Sequence, residues 1–178
     1  MKVWVVSDLH FERFRPEVVT VLEKPDDADV MVVAGDTHKC PRVPDWVLRQ
    51  RDASGIPIVI IAGNHEHYGQ NTIYNSLGLL REVLGREEGI HFLENDAVTL
   101  GDCRFVGATM WTDFSLHGKG NRKSRMTKAH FYMNDYAHIR TAMHKHLTPA
   151  DTLEFHGARG GSLPKRWTGI RTTAPRSS

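Results

Sequence analysis

Three short apolar runs recur along the first half of the chain, and each ends in a polar cluster. Val3-Trp4-Val5-Val6 leads into Ser7-Asp8-Leu9-His10, Val30 to Ala34 into Gly35-Asp36, and Ile56 to Ala62 into Gly63-Asn64-His65-Glu66. Continuous runs rich in β-branched residues predict strands buried on both faces, as in parallel sheets. Pro16 to Glu23 predicts a short helix opened by proline. Pro44 to Arg51 predicts a second, stopped near Ser54-Gly55. Asn71 to Leu84 sets Ile73, Leu77, Leu80 and Leu84 at helical spacing ahead of Gly85 as C-cap. Strands alternating with helices predict an α/β fold with right-handed parallel crossovers.

From His91 the period changes. Val98 to Leu100 and Cys103 to Thr109, joined by Gly101-Asp102, predict a hairpin. Trp111 to Arg125 is polar and reads as a surface loop, and Thr127 to Leu147 is long enough for one or two helices. Thr148-Pro149 marks a further helix start, with Thr148 as cap, and that helix is expected to end at Gly157. Trp4, Phe92 and Phe105 read as core residues.

A chain of 178 residues with a net charge of +2 is one domain by default and gives no global argument for nucleic acid. The charge is uneven, however. Residues 158–178 hold Arg159, Lys165, Arg166, Arg171 and Arg176 and no acid, so residues 1–157 stand at −3 against the whole chain's +2. This predicts a domain over 1–157 followed by a basic, disordered tail over 158–178. Cys40 and Cys103 lack metal-type spacing and read as free thiols of a reducing compartment. With no run near the roughly 20 apolar residues of a membrane span and no signal-peptide pattern, a cytoplasmic location and no membrane partner are expected.

The three polar clusters carry the chemistry. Asp8 to Asp36 is 28 positions, and Asp36 to Asn64 is 28 again. Roughly 30 residues make one βαβ unit, so the chain returns to the same sheet edge each time. Ligands of open α/β sheets bind outside the carboxyl ends of the strands. Carboxylate, imidazole and amide oxygen suit Mn, Fe or Zn. Glycines before Asp36 and Asn64 let the backbone approach closely. Alone, Asp8 or Asp36 would read as a turn or cap residue. Glu66 reads as a local hydrogen-bond partner, His67 as a side chain that backs the ligands or packs, and Trp111 and Asp113 as shaping the loop beside the cleft.

The D-x-H at 8–10, G-D at 35–36 and G-N-H-E at 63–66 resemble the calcineurin-like metallophosphoesterase family. Residues 107–114 and Met133-Asn134-Asp135-Tyr136 resemble a bacterial branch of it. The resemblance implies an α/β sandwich of parallel or mixed sheets flanked by helices. It also implies two divalent metal ions (Mn, Fe or Zn) and hydrolysis of a phosphomonoester or phosphodiester by a metal-activated water. On that basis Asp8 and His10 would bind the first metal, Asp36 would bridge, Asn64 would bind the second, and His65 would act as general acid or stabilise the phosphoryl charge.

The family pattern continues with a lone histidine and a G-H-x-H block, and neither is found. His144-Lys145-His146 follows an expected helix, where residues two apart diverge by roughly 200°. The expectation is therefore a truncated or frameshifted reading of a longer gene, with the C-terminal part of the fold incomplete and one of the two metal sites weakened. The first sheet would then expose apolar surface and favour association. Two other functions compete with the enzyme: an inactive or single-metal relic, and a binding module using the basic tail.

Overall fold

The computed structural model describes residues 1–15, 20–69, 72–116, 118 and 120–162. Four parallel strands form the central sheet: β1 (Val3–Val6), β2 (Val30–Ala34), β3 (Ile58–Ile61) and β4 (Ile90–Phe92), in that order. β4 was not foreseen. Three residues with a central His91 carry no readable period, yet Ile90 and Phe92 pair with Ile58 and Ile60 and join the core.

Helix α1 (Val43–Ser54) crosses from β2 to β3 and ends at Gly55, and α2 (Ile73–Leu84) crosses from β3 to β4. The Oγ1 of Thr72 caps α2 by accepting the Asn75 amide at 3.1 Å. Trp46, Val47, Ile73, Leu77 and Leu80 pack on Met31, Val33, Ile58 and Ile60, forming the main core on one sheet face. Of the helix expected over Pro16 to Glu23, residues 16–19 lie outside the described residues, and 20–23 are not helical.

The other face meets the predicted hairpin, β5 (Asp96–Leu100) and β6 (Cys103–Gly107). Val98, Leu100 and Phe105 pack against Val30, Val59 and Leu93. This is a narrower cover than a second full sheet, and Val3 and Val5 on β1 stay 43% and 61% exposed.

The segment after the loop departs from expectation. Helix α3 (Arg122–Tyr132) starts earlier than anticipated, α4 (Asp135–His138) is one turn, and β7 (Arg140–Ala142) with β8 (Lys145–His146) makes a small hairpin. His144, Lys145 and His146 are therefore exposed hairpin residues, not helical ones. α5 (Pro149–Ser162) begins at the predicted Thr148 cap, where Thr148 and Asp151 exchange side chain–backbone bonds. It does not end at Gly157 but runs to Ser162. A glycine inside a helix costs about 1 kcal/mol relative to alanine, too little to stop it. Residues 163–178 of the expected basic tail lie outside the described residues. No described helix is long and apolar enough to cross a membrane.

Candidate active site

The first two strands stop in unusual backbone. Asp8 (φ 55°), His10 (φ 47°) and Asp36 (φ 53°) are all left-handed, a state costing a non-glycine residue about 1–3 kcal/mol. Bonds across the strand ends hold it: the Asp8 amide donates to Gly35 O at 3.2 Å, the His10 amide to Asp36 O at 2.9 Å, and the Phe11 amide to Thr37 O at 2.9 Å. Strain kept at three polar residues of one sheet edge is what a functional site shows. The two glycines are needed for their closeness. A Cβ on Gly35 would lie 2.6 Å from the Gly63 nitrogen, and one on Gly63 would overlap the Asp36 carboxylate.

Glu66 fastens these ends together from below. Its carboxylate is fully buried and accepts three amides: Asp36 at 3.0 Å, Thr37 at 2.7 Å and Gly63 at 2.8 Å. Burial pushes this carboxyl up to about 7, even against the amides that favour its charge. The sequence reading of Glu66 as a hydrogen-bond partner holds, but the bonds span strands as well as neighbours.

Above this base, ligand atoms of His10, Asp36 and His65 lie within 4.8 Å of one another. The two imidazoles meet edge to face at 4.3 Å, and Tyr68 stacks on His65 at 4.3 Å. Asp36 Oδ1 accepts the His65 amide at 2.9 Å. Asp8 stands at the rim, exposed, its Oδ1 3.8 Å from His10 Nε2. Asn64 Nδ2 donates to Asp135 Oδ1 at 2.6 Å and lies 3.4 Å from the Tyr68 hydroxyl. All five residues singled out from the sequence thus gather at one strand edge, three of them in a single cluster. Nitrogen and oxygen donors in this mix fit a divalent cation of the Mn, Fe or Zn type. Among the described residues, His144 and His146 belong to no such group.

Three partners escaped the sequence. Glu12 Oε1 lies 2.8 Å from His65 Nδ1 and 3.0 Å from His10 Nδ1. Burial raises its carboxyl, but the two imidazoles outweigh that and hold it below the usual carboxylate range. Asp135 is buried and takes both Asn64 and the Tyr68 hydroxyl on one oxygen. Burial, then the bond to Asp135, pushes the Tyr68 phenol above its ordinary range. Glu12 could have been suspected as the next alternate position after Asp8 and His10. Asp135 had only the resemblance of its tetrapeptide, since 71 positions separate it from Asn64. A cavity of about 200 Å³ opens beside Asn64 and Asp135, bounded by Thr109, Met110, Trp111 and Met133. Trp111 is buried core, its carbonyl accepting from His156 Nδ1 at 2.7 Å. Asp113 binds Ser115 in its own loop.

With this geometry in place, the comparison with family models is decisive: the model described as calcineurin-like phosphoesterase matches residues 1–160. The chain belongs to the calcineurin-like phosphoesterase family. Over 95 residues it is 30% identical to an uncharacterized protein of Acanthamoeba polyphaga mimivirus, covering 51% of this chain and 31% of that protein. The fold is also that of the phosphopantetheinyl hydrolase of Mycobacterium tuberculosis, with a TM-score of 0.65 at 16% identity over 98% of this chain and 65% of that one. The chain therefore spans about a third of the viral relative's length and just under two thirds of the mycobacterial enzyme's. The family generally binds divalent metals, and His10, Asp36 and His65 form a group whose ligand atoms lie close enough to hold an ion.

Proposed function

We propose that the chain hydrolyses phosphomonoesters or phosphodiesters, with divalent cations held by Asp8, His10, Asp36 and Asn64. The observation that carries this reading is the convergence of His10, Asp36 and His65 ligand atoms within 4.8 Å at the sheet's carboxyl edge. Cations bound there would supply Lewis-acid polarisation of the phosphoryl oxygen and a low-pKa water. Asp36, with a carboxylate oxygen within 4.8 Å of ligand atoms of His10 and His65, would be the ligand shared within the donor set. His65, with Nδ1 directed at Glu12, keeps Nε2 for the site, and must carry a proton there to act on the leaving oxygen or the phosphoryl charge. Peripheral exposure of Asp8 leaves room for a substrate phosphate to approach from solvent.

A second reading, one cation rather than two, is favoured by the single three-residue cluster among the described residues. One experiment addresses both. Mn²⁺-dependent hydrolysis of bis(p-nitrophenyl) phosphate and p-nitrophenyl phosphate is measured for the chain and for Asp36→Asn, beside a Mn²⁺ binding count. Turnover that Asp36→Asn removes supports the enzyme, and the count separates one cation from two. Equal inertness of both proteins would overturn the catalytic reading.

A further inference from the structure

The three site side chains that can be turned around without changing shape are His10, His65 and Asn64. A ring flip puts a carbon where each imidazole nitrogen stood, and an amide flip exchanges oxygen for nitrogen. Only one orientation of each offers a lone pair to a cation. A bare imidazole nitrogen or an amide oxygen can ligate, whereas an NH₂ group facing a cation cannot.

Each of the three is backed by a carboxylate from outside the D-x-H, G-D and G-N-H-E motifs. Glu12 Oε1 takes Nδ1 of both His65 and His10, at 2.8 and 3.0 Å. Asp135 Oδ1 takes Asn64 Nδ2 at 2.6 Å. An ionised carboxylate only accepts. It therefore admits only the Nδ1–H form of each ring and only the NH₂ end of the amide. What remains for the site is two Nε2 lone pairs and one amide oxygen.

The cost of this arrangement argues that it is not incidental. Glu12 spends one oxygen on both rings, while its Oε2 is buried without a partner. A buried unsatisfied oxygen destabilises the fold. Asp135 is likewise buried, and Tyr68 fills a second place on the oxygen that holds Asn64. Tyr68 also stacks on His65, so the two carboxylate systems meet at one ring.

We propose that Glu12 and Asp135 are the positioning residues of this site, Glu12 fixing the Nδ1–H tautomer of His10 and His65 and Asp135 fixing the amide of Asn64 with its oxygen outward. The inference rests on the phosphoesterase reading for its purpose, but not for its test. Glu12 acts on two rings at once, so its loss should disturb both together. Asp135 reaches the His65 ring only through the Tyr68 stack, which favours neither nitrogen, so its loss should leave the ring tautomers alone and disturb the amide.

The test is ¹⁵N NMR of the metal-free protein at high pH, where imidazole is neutral, with His10, His65 and Asn64 assigned by substitution. In the wild type both rings should show a protonated Nδ1 and a bare Nε2, and the Asn64 NH₂ should exchange slowly with solvent. Glu12→Gln should mix the tautomers of both rings and leave the Asn64 signal in place. Asp135→Asn should speed exchange at Asn64 and leave the rings in place. In each variant Mn²⁺ affinity should fall about 10–100-fold, the loss typical of residues that orient ligands. A protonated Nε2 on either wild-type ring, or variants with unchanged tautomers and exchange, would overturn the proposal. The wild-type spectrum decides even if a variant does not fold. An inert enzyme with the expected tautomers would sink the phosphoesterase reading while leaving this one standing.

Discussion

The two faces of the central sheet are finished in different ways. On the helical face Met31, Val33, Ile58 and Ile60 are at most 1% exposed beneath α1 and α2. On the other, the β5–β6 hairpin covers Val30 and Val59, but Val5 is 61% exposed. A cavity of about 370 Å³ also runs between the sheet and Phe105, lined by Val32, Val59, Ile61 and Leu93. The site's supports come from the closed side or its edge: Glu66 and His67 are fully buried, and Cys40, Trp46 and Ile73 pack in the same core. The strained strand ends are thus backed by the closed helical face, while β1 on the other face is left exposed at Val3 and Val5.

The sharpest way to break that comparison is to cut the fastening between site and core. Glu66→Ala would leave the Asp36, Thr37 and Gly63 amides without their acceptor. Each buried unsatisfied group costs about 1–3 kcal/mol, so a loss of about 3 kcal/mol or more is expected in urea unfolding of the metal-free protein. Glu66→Gln, which keeps an acceptor oxygen, should lose clearly less. Equal losses in the two variants would mean that the amides are not what the carboxylate holds.

Next in size is a matched pair across the sheet. Met31→Ala on the closed face should cost about 2–5 kcal/mol, as buried large-to-small changes do. Val5→Ala on the open face should stay within about 0.5 kcal/mol, as for other exposed positions. Both are read from urea midpoints at constant slope. A loss at Val5 comparable to that at Met31 would show that something covers β1 in solution, and a midpoint that moves with protein concentration would identify it as a second copy.

These differences also explain what could be read from the sequence. The first three strands and two crossover helices were legible because both faces of a parallel strand, or one stripe of a helix, must be apolar over several residues. The site followed because equal spacing of Asp8, Asp36 and Asn64 becomes equal return to one edge. β4 was not legible, since its burial comes from pairing with β3 and not from its own three residues. Residues 122–147 misled for a related reason. β7 and β8 are a short, largely exposed hairpin with no apolar stripe to announce them. Glu12 and Asp135 were missed because a carboxylate that orients other side chains differs from a solvated one only in what folds against it.

The smallest effect uses the two cysteines as reporters of the same contrast. Cys40 lies fully buried at the head of α1, and its thiol donates to the Ser76 carbonyl at 3.4 Å. Burial first, and then the nearby Glu66 charge, pushes that thiol up to about 12. Cys103 is half-buried on β6, at the hairpin turn. Disulfide reagents attack thiolates, so acidity and access act together. One thiol per native chain should therefore react readily at pH 8, and Cys103→Ser should remove that reaction. Cys40 should react only as fast as the molecule opens, with a rate that rises in Met31→Ala and not in Val5→Ala. If Cys40 kept pace with Cys103 in the native protein, the helical face would be opening locally. The strained ends at Asp8, His10 and Asp36 would then need a support other than the core beneath them.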